Sequence, residues 1–131
     1  MNHFNGALQL EALCCTDGKP LFNRSGKRLF LRLCDQTYHS DEFGEVLIEK
    51  GQITDLGSVP RIPLVWYDLG ALPGAEEAYG LHDWLYGKKL RTREEADTIL
   101  REALELAGVN WRRRNTIYQA VRLFGCSYWE S

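Results

Sequence analysis

Apolar and polar positions alternate with a period of two in the first half of the chain and recur at helical spacing in the second. From Lys27 to Cys34, Leu29, Leu31 and Leu33 alternate with Phe30, Arg32 and Cys34, the pattern of a half-buried strand. Ala7 to Cys15 is rich in apolar residues and runs into the turn signal Asp17-Gly18-Lys19-Pro20. Glu45 to Ile53 sets Val46 and Ile48 on one face, with Lys50-Gly51 as a turn or bulge. The polar stretch between these runs, Asp35 to Phe43, reads as a loop or the end of a hairpin.

The second half predicts three helices, near residues 75–86, 92–107 and 110–124. Pro73-Gly74 precedes the first and Gly87 ends it. Thr92-Arg93-Glu94-Glu95 is a capping box. The Thr92 hydroxyl can accept from the amide of Glu95, and Ala96, Ile99, Leu100, Ala103 and Leu104 then follow at helical spacing. Gly108 supplies a left-handed stop. Asn110 is the expected cap of the last helix, with Trp111, Tyr118, Val121 and Phe124 as its buried positions. Strands first and helices second predict an α+β fold, a small antiparallel sheet packed with three helices. With no repeat, low-complexity tract or linker, the 131 residues read as a single domain, 1–131.

Composition narrows the function classes. Apolar residues make up 44% and charged residues 26%, which suits a packed globular chain. The net charge of -2 argues against a dedicated nucleic-acid binder. No apolar run is long enough to span a bilayer. Met1-Asn2-His3-Phe4-Asn5 lacks a basic stretch followed by an apolar one, so no signal peptide is expected and synthesis is placed in the cytoplasm. Cys14, Cys15, Cys34 and Cys126 form no C-x-x-C pair and are expected to be reduced, partly buried thiols, with neither a disulfide nor a zinc site.

His82 is the most informative position for chemistry. At 100° per residue it shares a face with Ala75, Ala78, Leu85 and Tyr86, so it points inward and needs partners for its ring nitrogens. It reads either as a structural histidine or as a general base or metal ligand at the floor of a cleft. Asp83 diverges from it by about 100° and can line the neighbouring wall of one site. A His-Asp pair on a helix recurs in metal-dependent phosphohydrolases and in secreted phospholipases of the A2 type. The further histidines of the first and the disulfides and glycine-rich calcium loop of the second are not evident here.

Asp55 and Ser58, three apart before Pro60, form either a rigid Asx- or ST-type corner or a corner that presents one of them to His82. Asp97 reads either as a surface ion pair with Arg101 or as a carboxylate reaching in to orient His82. Arg112-Arg113-Arg114 sits in a first helical turn, where the dipole disfavours cations. It reads as a solvated face paired with glutamates or as an anion site. Trp84 reads either as a core or surface anchor or, lying opposite the apolar face of its helix, as a candidate exposed contact for a partner.

As an ordered set, Thr54-Asp55-x-x-Ser58-Val59-Pro60-Arg61, Leu81-His82-Asp83-x-x-Tyr86, Ala96-Asp97 and Tyr118-x-Ala120-Val121-Arg122-x-x-Gly125 resembles a family of small bacteriophage and prophage proteins of unknown function. The resemblance runs from about Phe30 to Gly125 and implies a phage or prophage origin. Its polar positions fall on Asp55, Ser58, His82, Asp83 and Asp97. Gly57 stands where many relatives carry alanine.

Two functions follow. One is a hydrolase-like site with His82 as base, Asp55 or Asp97 orienting it, and Asp83 or Ser58 contacting substrate or a metal; a phage setting suits an envelope or nucleotide substrate. The other is a non-enzymatic virion component or assembly factor that meets other phage proteins, its polar cluster a buried network fixing the fold. The sequence names no cofactor or metal. In either case His82 is expected to be buried, with Asp55, Ser58 or Asp97 within reach.

Overall fold

The computed structural model describes residues 1–24, 26–55 and 75–130. Six short strands come first: β1 His3–Asn5, β2 Leu10–Ala12, β3 Phe30–Arg32, β4 Gln36–Ser40, β5 Gly44–Ile48 and β6 Ile53–Thr54. Helices follow: α1 Glu76–Lys88, α2 Arg93–Leu106, α3 Trp111–Phe124 and the short α4 Cys126–Glu130. The fold is α+β, with every strand pair antiparallel. The strands divide over two three-stranded sheets, ordered β1-β4-β5 and β2-β3-β6.

Asp35 to Phe43 is not a loop. It contains β4, the central strand of its sheet, with Gln36 opposite Ile48 and Tyr38 opposite Val46. Its period-two pattern is present but polar. Gln36, Tyr38 and Ser40 face inward and are buried because each finds a hydrogen-bond partner there. Gly44, at φ +85°, closes the hairpin loop between β4 and β5. Val46 and Ile48 are buried as their alternation predicts, and Gly51, at φ +94°, makes the turn before β6. In β3 the buried face is not the leucine face: Arg32 is 1% exposed and Leu33 45%. Arg32 can be enclosed because Gln52 and Gln36 accept from its Nε and Nη1 at 2.9 and 2.8 Å.

Both predicted helix caps form. Thr92 accepts from the Glu95 amide at 3.1 Å, and Asn110 from the Arg113 amide at 2.9 Å. Ala107 caps the end of α2 and Gly108 follows at φ +87°. Helix α1 runs through Gly87 to Lys88. Its left-handed stop is Lys89, whose amide bonds the Leu85 carbonyl. On α3 the buried positions are Ile117, Ala120 and Val121, while Trp111 and Phe124 are 70% and 48% exposed. The helix packs through Ile117, Ala120 and Val121, while Trp111 at its start and Phe124 at its end lie off that seam. Arg112 and Arg113 are exposed; Arg114 donates to the Val109 carbonyl at 3.2 Å and lies 3.9 Å from Glu105.

Trp84 is buried, at 8% exposure, rather than presented to solvent. Helix α1 is enclosed along most of its length, with Ala78 to His82 and Trp84 to Tyr86 buried, so Trp84 does not stand on an exposed outer face. The core joins Tyr38, Val46 and Ile48 of the strands to Leu81 and Leu85 of α1 and Ile99, Leu100 and Leu104 of α2. Cys14, Cys15 and Cys126 are exposed free thiols and Cys34 is half-buried, so three of the four lack the expected partial burial. Among the described residues, no helix is long and apolar enough to cross a membrane.

Candidate functional site

Three helices deliver one cluster. Helix α1 carries His82 and Tyr86 one turn apart on its inner side, α2 carries Arg93 and Asp97 one turn apart, and α3 brings Arg122 near its end. They converge on Asp97, which is fully buried. His82 Nε2 lies 2.8 Å from Asp97 Oδ1, and the Tyr86 hydroxyl donates to the same oxygen. Arg122 Nη1 donates to Oδ2 at 2.9 Å, with Arg93 Nη1 3.7 Å from that atom. Asp97 is therefore the orienting carboxylate of His82, and its cations are Arg93 and Arg122 rather than Arg101.

The imidazole is 3% exposed and packs against the Tyr86 ring at a centroid distance of 4.2 Å. Tyr86 stands edge-on to Trp129 at 5.1 Å. Gly125 makes room for this stack. A Cβ there would overlap the Val121 carbonyl oxygen and come within 2.8 Å of the Tyr86 hydroxyl. Arg93 is tied down further by the carbonyls of Val121 and Arg122, at 3.0 and 3.3 Å.

Electrostatics fix the protonation pattern. Burial pushes the Asp97 carboxyl upward. The hydrogen bonds from His82 and Tyr86, the charge of His82 and the bond from Arg122 outweigh it, and the pKa falls below the ordinary 3.8. Burial and the bond to Asp97 push the Tyr86 phenol far above its ordinary 10.0, so it stays a donor. Burial works against the Arg122 guanidinium, but Asp97 more than compensates and raises it. An ionised carboxylate only accepts, so His82 Nε2 carries the proton of their bond. In the neutral ring Nδ1 is then a lone pair. Among the described residues nothing hydrogen-bonds it, and it is not one of their fully enclosed unpartnered atoms, which are Arg28 Nε, Arg32 Nη2 and Trp84 Nε1. A tautomer held this way can take a proton from water or a substrate hydroxyl.

The other predicted residues are distributed differently. Asp83 is half-buried, accepts from the Thr54 hydroxyl at 2.6 Å, and lines a cavity of about 580 Å³ with Trp84, Gln52 and Ile53. Asp55 accepts from the Asn23 amide at 2.8 Å. Ser58 lies outside the described residues. Among the described residues, no group of three His, Cys, Asp or Glu side chains is arranged to hold a metal ion.

Tyr86, Arg93 and Arg122 were not singled out from the sequence. The signals existed: Tyr86 is four residues after His82, Arg93 four before Asp97, and Tyr86, Arg122 and Gly125 all stand in the quoted motifs. Two further polar clusters also went unread. Gln36 bridges Arg32 to Glu77 Oε2 at 2.9 Å, and Gln52 donates to the Gly80 carbonyl at 2.8 Å. Glu102 accepts from the Tyr38 and Ser40 hydroxyls at 3.0 and 2.9 Å.

A family model described as "Protein of unknown function (DUF1353)" matches residues 30–121. No curated protein and no solved structure matches the chain.

Proposed function

The chain belongs to the DUF1353 family, whose function is not established, and from its own site we propose a hydrolase-like centre in which His82 is the general base and Asp97 the carboxylate that orients it. The observation that carries this reading is the 2.8 Å bond from His82 Nε2 to Asp97 Oδ1, with Nδ1 left unengaged among the described residues. A histidine retained only for packing most often satisfies both nitrogens. Here one nitrogen is anchored, and in the neutral ring the other keeps its lone pair. In the proposed step Nδ1 takes a proton from water as the oxygen attacks the scissile centre, Asp97 stabilises the imidazolium that forms, and the imidazolium returns the proton to the leaving group as the scissile bond breaks. Asp83, on the adjacent wall, contacts substrate or a metal ion. Asp55 and Ser58 remain candidates for substrate contact. The phage or prophage origin implied by the sequence motifs suits an envelope or nucleotide substrate.

A second reading is supported by how completely Asp97 is bonded. Its two oxygens are engaged from α1 and α3, with Arg93 of α2 close by, and it has no exposed surface. That is how a polar network fixing three helices would look in a virion component or assembly factor. Assays on chromogenic carboxylic and phosphoric esters, with and without divalent cations, separate the two. The enzyme reading expects turnover that His82→Gln abolishes while the melting temperature stays within about 3 °C of wild type. Equal rates for wild type and His82→Gln on every substrate would leave only the structural reading.

A further inference from the structure

Strand β5 ends its sheet: it pairs with β4 and with no other strand among those described. In an antiparallel pair, residues alternately turn both backbone groups towards the partner strand or both away from it. The Glu45 carbonyl accepts from Arg91 Nη2 at 3.3 Å, so Glu45 turns away from β4, and Leu47, two residues on, does the same. Among the described residues nothing bonds the outward amide or carbonyl of Leu47. Its side chain is 50% exposed.

This free edge borders a groove rather than open surface. One cavity of about 520 Å³ lies along Leu47, Leu90 and Arg91, and a neighbouring one of about 580 Å³ reaches Ile53 and Asp83. Both are bounded by Glu49, Trp84 and Lys88, so these three residues form the wall the cavities share. Leu90 and Ile53, at 68% and 58% exposure, give each cavity an apolar rim. Among the described residues the enclosed Trp84 Nε1 has no acceptor, and the Lys88 ammonium rests 4.8 Å over its ring.

We propose that the open edge of β5, with the two cavities flanking Trp84, binds an extended peptide segment as an added strand. Alternate side chains of such a strand point the same way, which suits two neighbouring pockets. The charges lining the groove decide against other partners. Lys50, Lys88 and Arg91 are matched by Glu45, Glu49 and Asp83, so no net field attracts a phosphate backbone or an anionic bilayer. Recognition rests on backbone hydrogen bonds and apolar side chains. The proposal stands independently of any chemistry at His82.

The test uses the whole protein and an array of octapeptides in which valine or leucine alternates with lysine or glutamate. Amide chemical shifts of the isotope-labelled protein are mapped on adding the best binder. The expected result is movement centred on the Leu47 amide and the Trp84 indole N–H. Binding should be at least tenfold weaker in Leu47→Pro, which removes the outward amide but no bond to β4. Leu47→Thr, which keeps that amide, should bind within about threefold of wild type. Should Leu47→Pro fail to fold, the wild-type shift map decides alone. The proposal is overturned if no array peptide binds, if the shifts cluster away from β5, if phosphatidylglycerol vesicles move the same resonances in place of peptide, or if the unliganded protein dimerises through this edge.

Discussion

His82 and Tyr86, one turn apart on α1, place their hydrogen bonds on the same oxygen of a single buried carboxylate. Both arrive from one side, while the other oxygen takes Arg122. Asp97 thereby fixes an imidazole tautomer and clamps the start of α2 to the end of α3.

Removing that carboxylate is expected to be severe. Asp97→Ala leaves the buried His82 and Tyr86, and the partly exposed Arg122, without their acceptor, and breaking a buried pair such as His82–Asp97 from one side typically costs about 3–5 kcal/mol. Urea unfolding of the variant should show a loss of that size at neutral pH. A loss under about 1 kcal/mol would mean that the network contributes little to the fold.

Acid should act through the same group. The Asp97 pKa is depressed in the folded state, so its contribution is complete above the unfolded value, about 3.9, and is lost as pH falls through the lower folded value. Melting temperatures measured from pH 6 to pH 2 should fall more steeply below about pH 4 for wild type than for Asp97→Asn. Parallel curves would argue that other carboxylates drive acid unfolding.

Glu102 runs the opposite way. Burial raises its pKa above 4.5, outweighing the hydroxyls of Ser40 and Tyr38, and Glu42 and Asp41 add to the rise. Its ionised form is therefore disfavoured in the folded state at neutral pH, and that cost is relieved as pH falls towards the raised pKa. Glu102→Gln keeps an acceptor for both hydroxyls. It should leave stability at pH 7 within about 1 kcal/mol of wild type or raise it. A clear loss at pH 7, with no gain relative to wild type between pH 5 and pH 7, would contradict this assignment.

Gly125→Ala tests the packing behind the site. The added methyl meets the Val121 carbonyl and the Tyr86 hydroxyl, and overpacking of this kind typically costs about 1–3 kcal/mol. Near-ultraviolet circular dichroism should change with it, because Tyr86 and Trp129 are in edge contact. An unchanged spectrum at wild-type stability would show that the pocket yields freely.

Thiol reactivity gives a simple check on the strand layer. Native, unreduced protein treated with a disulfide reagent should show three fast thiols, Cys14, Cys15 and Cys126, and a slower one at Cys34. Fewer than four after denaturation would mean that a bridge had formed.

Where apolar periodicity and capping chemistry agreed, the elements could be read directly: α2 and its Thr92 cap, α3 and its Asn110 cap, and β5 with Val46 and Ile48 inward. The failures share one cause. Tertiary hydrogen bonding lets polar residues face the core, so β4, whose inward side is Gln36, Tyr38 and Ser40, looked like a loop. Arg32 was assigned no buried role for the same reason. Trp84 failed differently, because a helix buried on most sides through its middle turns gives the amphipathic argument little outer face to find. His82 and Asp97 were legible because an ionisable residue on an apolar stripe needs a partner. Arg122 was not, because its partner lies 25 positions away.

Arg32 and Gly80 form a unit that sequence divergence must respect. A Cβ at position 80 would stand 3.0 Å from Arg32 Nη2, and a glycine inside a helix costs about 1 kcal/mol relative to alanine. Alanine at position 80 would strengthen α1 on its own terms, yet it would push on a buried guanidinium whose bonds hold Gln36 and Gln52. Positions 32 and 80 should therefore covary in homologous chains: where 80 gains a side chain, 32 should carry a shorter or uncharged residue, and the two glutamines should drift with it.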